Sequence, residues 1–102
     1  MSNITDAFTQ PGTNRGLYYD GAFQKSETDA VISVTNPATA EGFTTVPDAT
    51  ATDVDAAVAA ARAAFAGWSA LDPIDRARHL RRFANVVGEN IPKLAILESI
   101  VT

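Results

Sequence analysis

A chain of 102 residues makes one small domain at most, with enough surface to bury for a single modest core. Its hydrophobic fraction of 46% and charged fraction of 20% are those of an ordinary globular protein, which argues against wholesale disorder. The net charge of −4 argues against a general nucleic-acid binder, and without cysteine there is no disulfide framework, thiolate metal site or thiol nucleophile.

Residues 1–16, "MSNITDAFTQPGTNRG", carry no basic region followed by an apolar stretch, so they do not read as a secretory signal. They read as a flexible polar lead-in. No later run reaches the roughly 18 apolar residues of a membrane span, and a reducing cytoplasm fits the lack of cysteine. Composition changes near residue 50, from Gly, Thr, aromatic and β-branched residues to Ala, Arg and Leu. Strands followed by helices are expected, an α+β order.

In "GLYYDGAFQK", Asp20-Gly21 supplies the positive φ angles of a two-residue turn, which predicts a hairpin of residues 17–19 with residues 22–25. "AVISVTNPATAEGFTTVP" repeats the design with a wider loop, pairing 31–35 with 43–46. Pro37 biases Asn36 towards extended backbone, and Pro47 ends the strand. The clearest helix is "DATATDVDAAVAAARAAFAGW". Thr52 is its expected N-cap, with Asp55 three residues on and Asp53 in the first turn; Gly67 suits its end. Val54, Ala57, Val58, Ala61, Phe65 and Trp68 recur at spacings of 3 or 4 and form its apolar stripe. Asp72, Pro73 and Asp75 start a second helix, whose expected buried seam is Ala77, Leu80, Ala84 and Val87 with Phe83 beside it. Gly88 and Asn90 interrupt this pattern. Asn90 is positioned to cap a third helix, with Pro92 in its first turn. Two hairpins and then three helices are predicted.

The final "LAILESIVT" is apolar, with no Gly, Asn or Pro to stop it and no basic residue in the last turn. It reads either as a helix that docks elsewhere or as the opening part of a longer protein.

Chemistry-bearing residues are sparse. His79, the only histidine, lies between Arg78 and Arg81 on a polar helix face, without the acid partner that a triad needs. The Asp53/Asp55 and Asp72/Asp75 pairs fall at helix starts, where capping accounts for them. Arg76, Arg78, Arg81 and Arg82 form one basic cluster. It reads as a solvated face paired with acids, and phosphate or nucleic-acid contact is the competing reading. Gly12, Gly16 and Gly21 do not build a phosphate loop.

Taken in order, "YYDGAF", "VTNPATAEGFTTVPDATATDVDAAVAAARAAFAGW" and "DRARHLRRFANVVGENIPKLAILES" resemble the N-terminal region of the aldehyde dehydrogenase superfamily, over residues 17–102. Its specific elements are Asn36-Pro37-Ala38-Thr39, Thr45-Val46-Pro47, the run from Asp53 to Val58, Phe65 with Trp68, and Arg76 with Leu80-Arg81-Arg82. The resemblance implies the start of an α/β cofactor-binding half, in a cytoplasmic, homo-oligomeric enzyme that oxidises an aldehyde to a carboxylic acid with NAD or NADP. In that family a cysteine thiolate attacks the aldehyde, hydride passes to the cofactor, and a glutamate activates water to release the acid.

The resemblance places those groups, and the main cofactor contacts, beyond residue 102. The segment alone is then expected to be inactive, its catalytic and cofactor-binding residues none. It also implies a monovalent-cation site using the backbone carbonyls of Val34 and Thr35. An aspartate soon after Glu98 is common there, and Val101 stands in its place. Where the family usually has Thr-Gly-Glu, this chain reads Thr39-Ala40-Glu41-Gly42, which predicts a shifted turn. The competing reading is a non-catalytic α+β interaction module whose last helix docks on a partner.

Overall fold

The computed structural model describes residues 16–102. The lead-in expected over residues 1–16 lies, Gly16 apart, outside the described residues. β1 (Leu17–Tyr19) pairs antiparallel with β2 (Ala22–Gln24), Tyr19 facing Ala22, so Asp20 and Gly21 alone make the connection. Their φ angles are +53° and +74°. Two consecutive positive values are what a right-twisted two-residue hairpin demands, and Asp-Gly adopts them at little steric cost. Tyr18 and Phe23 face each other across the pair, ring centroids 5.0 Å apart and planes at 78°.

The second hairpin joins β3 (Val31–Thr35) to β4 (Gly42–Pro47) as a separate two-stranded sheet. Val34 faces Thr44 and Thr35 faces Gly42, which leaves Phe43 as the extra residue of a bulge. At the open end the Asp48 N–H donates to the Ala30 carbonyl at 2.9 Å.

Three helices follow, α1 (Ala51–Ala70), α2 (Pro73–Glu89) and α3 (Ile91–Val101). The first is capped two residues earlier than expected. Thr50, not Thr52, is the N-cap, and it exchanges hydrogen bonds with Asp53 in a capping box: Asp53 N–H to Thr50 Oγ1 at 3.1 Å, Thr50 N–H to Asp53 Oδ2 at 3.0 Å. Both threonines have an aspartate three residues on. Thr50 prevails because its aspartate also binds the chain before β3, contacts no local pattern reveals.

The helix also passes through Gly67 and stops at Leu71, whose backbone is extended, as is that of Asp72. The stop is therefore set by the proline ahead, which forces Asp72 out of helical geometry, rather than by a glycine cap. Asp72 and Asn90 hold the N-cap positions of α2 and α3 as expected, though neither side chain makes a capping bond. Instead the Asn90 amide donates to the Val86 carbonyl at 2.8 Å, closing α2. Gly88 does not interrupt α2, which runs through it to Glu89.

The seams expected to be buried are not. Among the described residues no apolar side chain is buried; Phe65, Leu80 and Phe83 are each at least 60% exposed, and Val54, Val58 and Val87 are exposed too. Contact between elements is concentrated within the two hairpins, with a little where α2 meets α3. The Cα radius of gyration is 16.9 Å, against about 13 Å for a compact chain of 100 residues. The stripes have the right spacing, and among the described residues their large side chains stay exposed.

Candidate functional site

The buried polar residues among those described are Ser26 and Asp53, and they meet. Ser26 Oγ donates to Asp53 Oδ2 at 2.6 Å, and the Glu27 N–H donates to Oδ1 at 3.2 Å. With the Thr50 N–H, the carboxylate accepts three hydrogen bonds while sitting in the first turn of α1. The Ser26 hydroxyl, then the Thr50 amide, hold the Asp53 carboxyl below its usual range; burial pushes the other way and loses. This junction ties the link between the hairpins to the helix start. Its geometry is a fastening: the partners of the carboxylate, the Ser26 hydroxyl and the Glu27 and Thr50 N–H groups, are all donors that stabilise its charge. Sequence reasoning explained Asp53 by the helix dipole and missed Ser26, which no spacing rule connects to a residue 27 positions on.

Val34 and Thr35 lie at the end of β3, flanking the register shift. Asn36 organises the loop behind them. Its carbonyl accepts from the Ala40 N–H at 2.8 Å and the Thr39 N–H at 3.3 Å, its N–H donates to the Glu41 carbonyl at 2.9 Å, and its Oδ1 accepts from the Ala38 N–H at 2.9 Å. Ala40 has a φ of +60°. Ala40, where the family usually has glycine, therefore takes left-handed backbone, a conformation that costs about 1–2 kcal/mol for a residue with a Cβ. The hydrogen bonds around Asn36 over-determine it. As cation ligands, Val34 and Thr35 offer neutral carbonyl oxygens, and Val101 adds no charge. Among the described residues no three His, Cys, Asp or Glu side chains converge as a metal site.

His79 is exposed, its ring 5.9 Å from that of Trp68 and tilted by 53°, a contact that joins the end of α1 to α2. The arginines divide. Arg78 pairs with Asp75 at 3.0 Å, on the surface and one turn apart. Arg76 instead reaches back to the carbonyls of Leu71 and, at 3.3 Å, Ser69. It supplies the positive charge that the last turn of α1 lacks, at the negative end of that helix. That absence of a base in α1 was the signal for this role.

A hairpin pair, an Asn-Pro loop, a capping-box helix and two further helices can be compared with known proteins as a unit. The aldehyde dehydrogenase family model matches residues 23–102. The chain is 39% identical over 83 residues to the aldehyde dehydrogenase tropH of Talaromyces stipitatus, covering 81% of this chain and 16% of that protein. It is 37% identical over 95 residues to the hydroxyisobutyraldehyde dehydrogenase of Mycolicibacterium austroafricanum, covering 93% of this chain and 19% of that one. Among solved structures, a mutant of aldehyde dehydrogenase C (AldC) from Pseudomonas syringae, in complex with NAD+ and octanal, matches with a TM-score of 0.85 at 41% identity. That match covers 90% of this chain and 19% of AldC.

The chain belongs to the aldehyde dehydrogenase family, and corresponds to an N-terminal segment of it. It spans less than a quarter of the length of the relatives it matches. The α+β order of two hairpins and three helices is the start of that family's cofactor-binding half.

Proposed function

We propose that these residues are the opening segment of an NAD(P)-dependent enzyme that oxidises an aldehyde to a carboxylic acid, and that the segment supports the cofactor-binding half without touching the reacting atoms. The observation that carries this reading is the match to AldC, at a TM-score of 0.85, in a structure holding NAD+ and octanal. The side chains present agree. The 102 residues contain no cysteine to act as the nucleophile, and their buried carboxylate is committed to hydrogen bonds within the fold. What the segment does is orient: the Asp53 junction fastens the hairpins to α1, and Arg76 with the Trp68–His79 contact fixes the corner to α2.

The competing reading, a self-standing interaction module, needs a core of its own, and no apolar side chain among the described residues is buried. The complete enzyme is read as a cytoplasmic homo-oligomer. In it the carbonyls of Val34 and Thr35 contribute to a monovalent-cation site completed by oxygens from other parts of the fold.

The test is an assay of NAD+ and NADP+ reduction with octanal, run on the purified 102-residue chain and on the complete product of its gene. No turnover from the first and sustained turnover from the second are expected; turnover by the 102 residues, or none by the complete product, overturns the reading. Exchanging potassium for choline in the same assays should lower the melting temperature of the complete protein, and an unchanged value removes the cation from the proposal.

A further inference from the structure

The chain contains one Asp-Gly step, Asp20-Gly21, and no Asn-Gly step. These two residues form the whole connection of the first hairpin, and both are exposed. Gly21 is open on the side where any other residue carries its Cβ, with nothing within 4 Å of that position. Among the described residues no hydrogen bond or ion pair engages the Asp20 carboxylate or the Gly21 N–H. An unengaged carboxyl group and an unshielded main-chain nitrogen therefore stand side by side, the two partners that close a five-membered imide ring.

The other aspartates among the described residues lack this combination. Asp53 is buried under three donors. Asp72 precedes Pro73, whose nitrogen carries no proton. Asp55 and Asp75 lie within helices, which fix the main-chain nitrogen that follows each of them. Asp29 precedes Ala30, whose N–H donates to Thr28 Oγ1 at 3.4 Å. Asp48 precedes Ala49, whose Cβ crowds the approach. Ring closure at Asp20 also needs rotation about its Cα–C bond, out of the closed turn. The hairpin permits it, because three residue pairs in a sheet of two strands are marginal on their own and open locally.

We propose that Asp20-Gly21 is a site of spontaneous isoaspartate formation and, once converted, the methyl-accepting site for a carboxyl methyltransferase that uses S-adenosylmethionine. The Gly21 nitrogen bonds to Asp20 Cγ, and the hydroxyl of the protonated carboxyl group leaves as water with the amide proton, closing a succinimide. Water then opens the ring at either carbonyl. Attack at Cγ breaks its bond to nitrogen and restores aspartate. Attack at the main-chain carbonyl breaks that carbon's bond to the Gly21 nitrogen, so the chain now runs through the side chain and carries a free α-carboxylate. A methyl group passing from the sulfonium donor to that carboxylate forms an ester and leaves the donor as a thioether. The side-chain methylene, now part of the main chain, lengthens the two-residue turn. Tyr19 then no longer faces Ala22, nor Tyr18 the Phe23 ring.

The test ages the complete 102-residue chain in warm neutral buffer and cuts it with trypsin after Arg15, Lys25 and Arg62. An isoaspartate-specific carboxyl methyltransferase then transfers labelled methyl groups, which are counted in each peptide. Label in residues 16–25 should accumulate roughly tenfold faster than in residues 26–62, which hold Asp29, Asp48, Asp53 and Asp55, because no Cβ adds to the barrier at glycine. Asp20→Glu, which would need a larger ring, should abolish the label. Gly21→Ala loosens the hairpin, since alanine is strained at a φ of +74°, yet its Cβ should slow labelling about tenfold. The modified chain should lose the nuclear Overhauser contact between the Tyr18 and Phe23 rings that the fresh chain shows. Labelling of residues 16–25 no faster than of residues 26–62 overturns the site, as does label that survives Asp20→Glu. Faster labelling of Gly21→Ala overturns it too, by making hairpin opening rather than the glycine the cause. A ring contact that persists in the modified chain overturns the change of register.

Discussion

Asp53 binds three donors from two parts of the chain, and its ionisation is therefore coupled to the fold. Its folded pKa is depressed, with the Ser26 hydroxyl the first cause and the Thr50 amide the second. A carboxylate of this kind stabilises the folded state at every pH above its unfolded value, about 3.9, and that contribution disappears as pH falls through the lower folded value. Acid should release the start of α1 and the Ser26–Glu27 link together. Amide exchange at Glu27, Thr50 and Asp53 should rise below about pH 4, and Asp53→Asn should show the same loosening at neutral pH with no further acid step. A variant whose exchange still steps in acid would mean another group is responsible. Nothing at this scale was fully legible in the sequence. The Thr-x-x-Asp pattern appears twice, at Thr50 and Thr52, and only the partner at Ser26 decides between them.

Ala40 tests the backbone at the scale of the element. Its left-handed φ of +60° closes the loop between β3 and β4, where the Asn36 carbonyl takes two N–H groups and its side chain a third. Ala40→Gly relieves the Cβ penalty while adding freedom to the unfolded chain, and the first effect is the larger at a position with positive φ. The replacement should stabilise the β3–β4 hairpin by about 1 kcal/mol, read as slower exchange of the Asn36 and Ser33 amides. A destabilised hairpin would show that the turn is not held in this form. The hairpins themselves were readable from Asp20-Gly21 and from "NPATAEG", because turn preference is a property of a few adjacent residues. The strain at Ala40 was not, since it is imposed by hydrogen bonds to Asn36.

At the scale of the molecule, uncovered stripes change what a core-like residue is worth. Trp68 has the position and spacing of a core anchor, and in a filled core its truncation costs about 3–5 kcal/mol. Here it is 41% exposed and touches the exposed His79 ring. Trp68→Ala in the 102-residue chain should cost no more than about 1 kcal/mol, measured by the loss of helical circular dichroism in urea. A loss of several kcal/mol would show that the free chain collapses around the tryptophan in solution. The same substitution in a complete enzyme should reach the larger figure, because there the transfer and cavity terms both apply.

The order and type of the elements, the turn at Asp20-Gly21, the proline stop before α2 and the apolar periodicity all follow from interactions within about one helical turn, and residue order alone determines them. Family membership follows as well, since it rests on those elements in sequence. Which threonine caps α1, how Arg76 closes its other end, and whether Val54, Phe65, Leu80 and Phe83 are covered depend on groups far apart in the chain or outside it. Those were decided by the tertiary structure, because burial is a relation between surfaces and a periodic stripe specifies only one of the two.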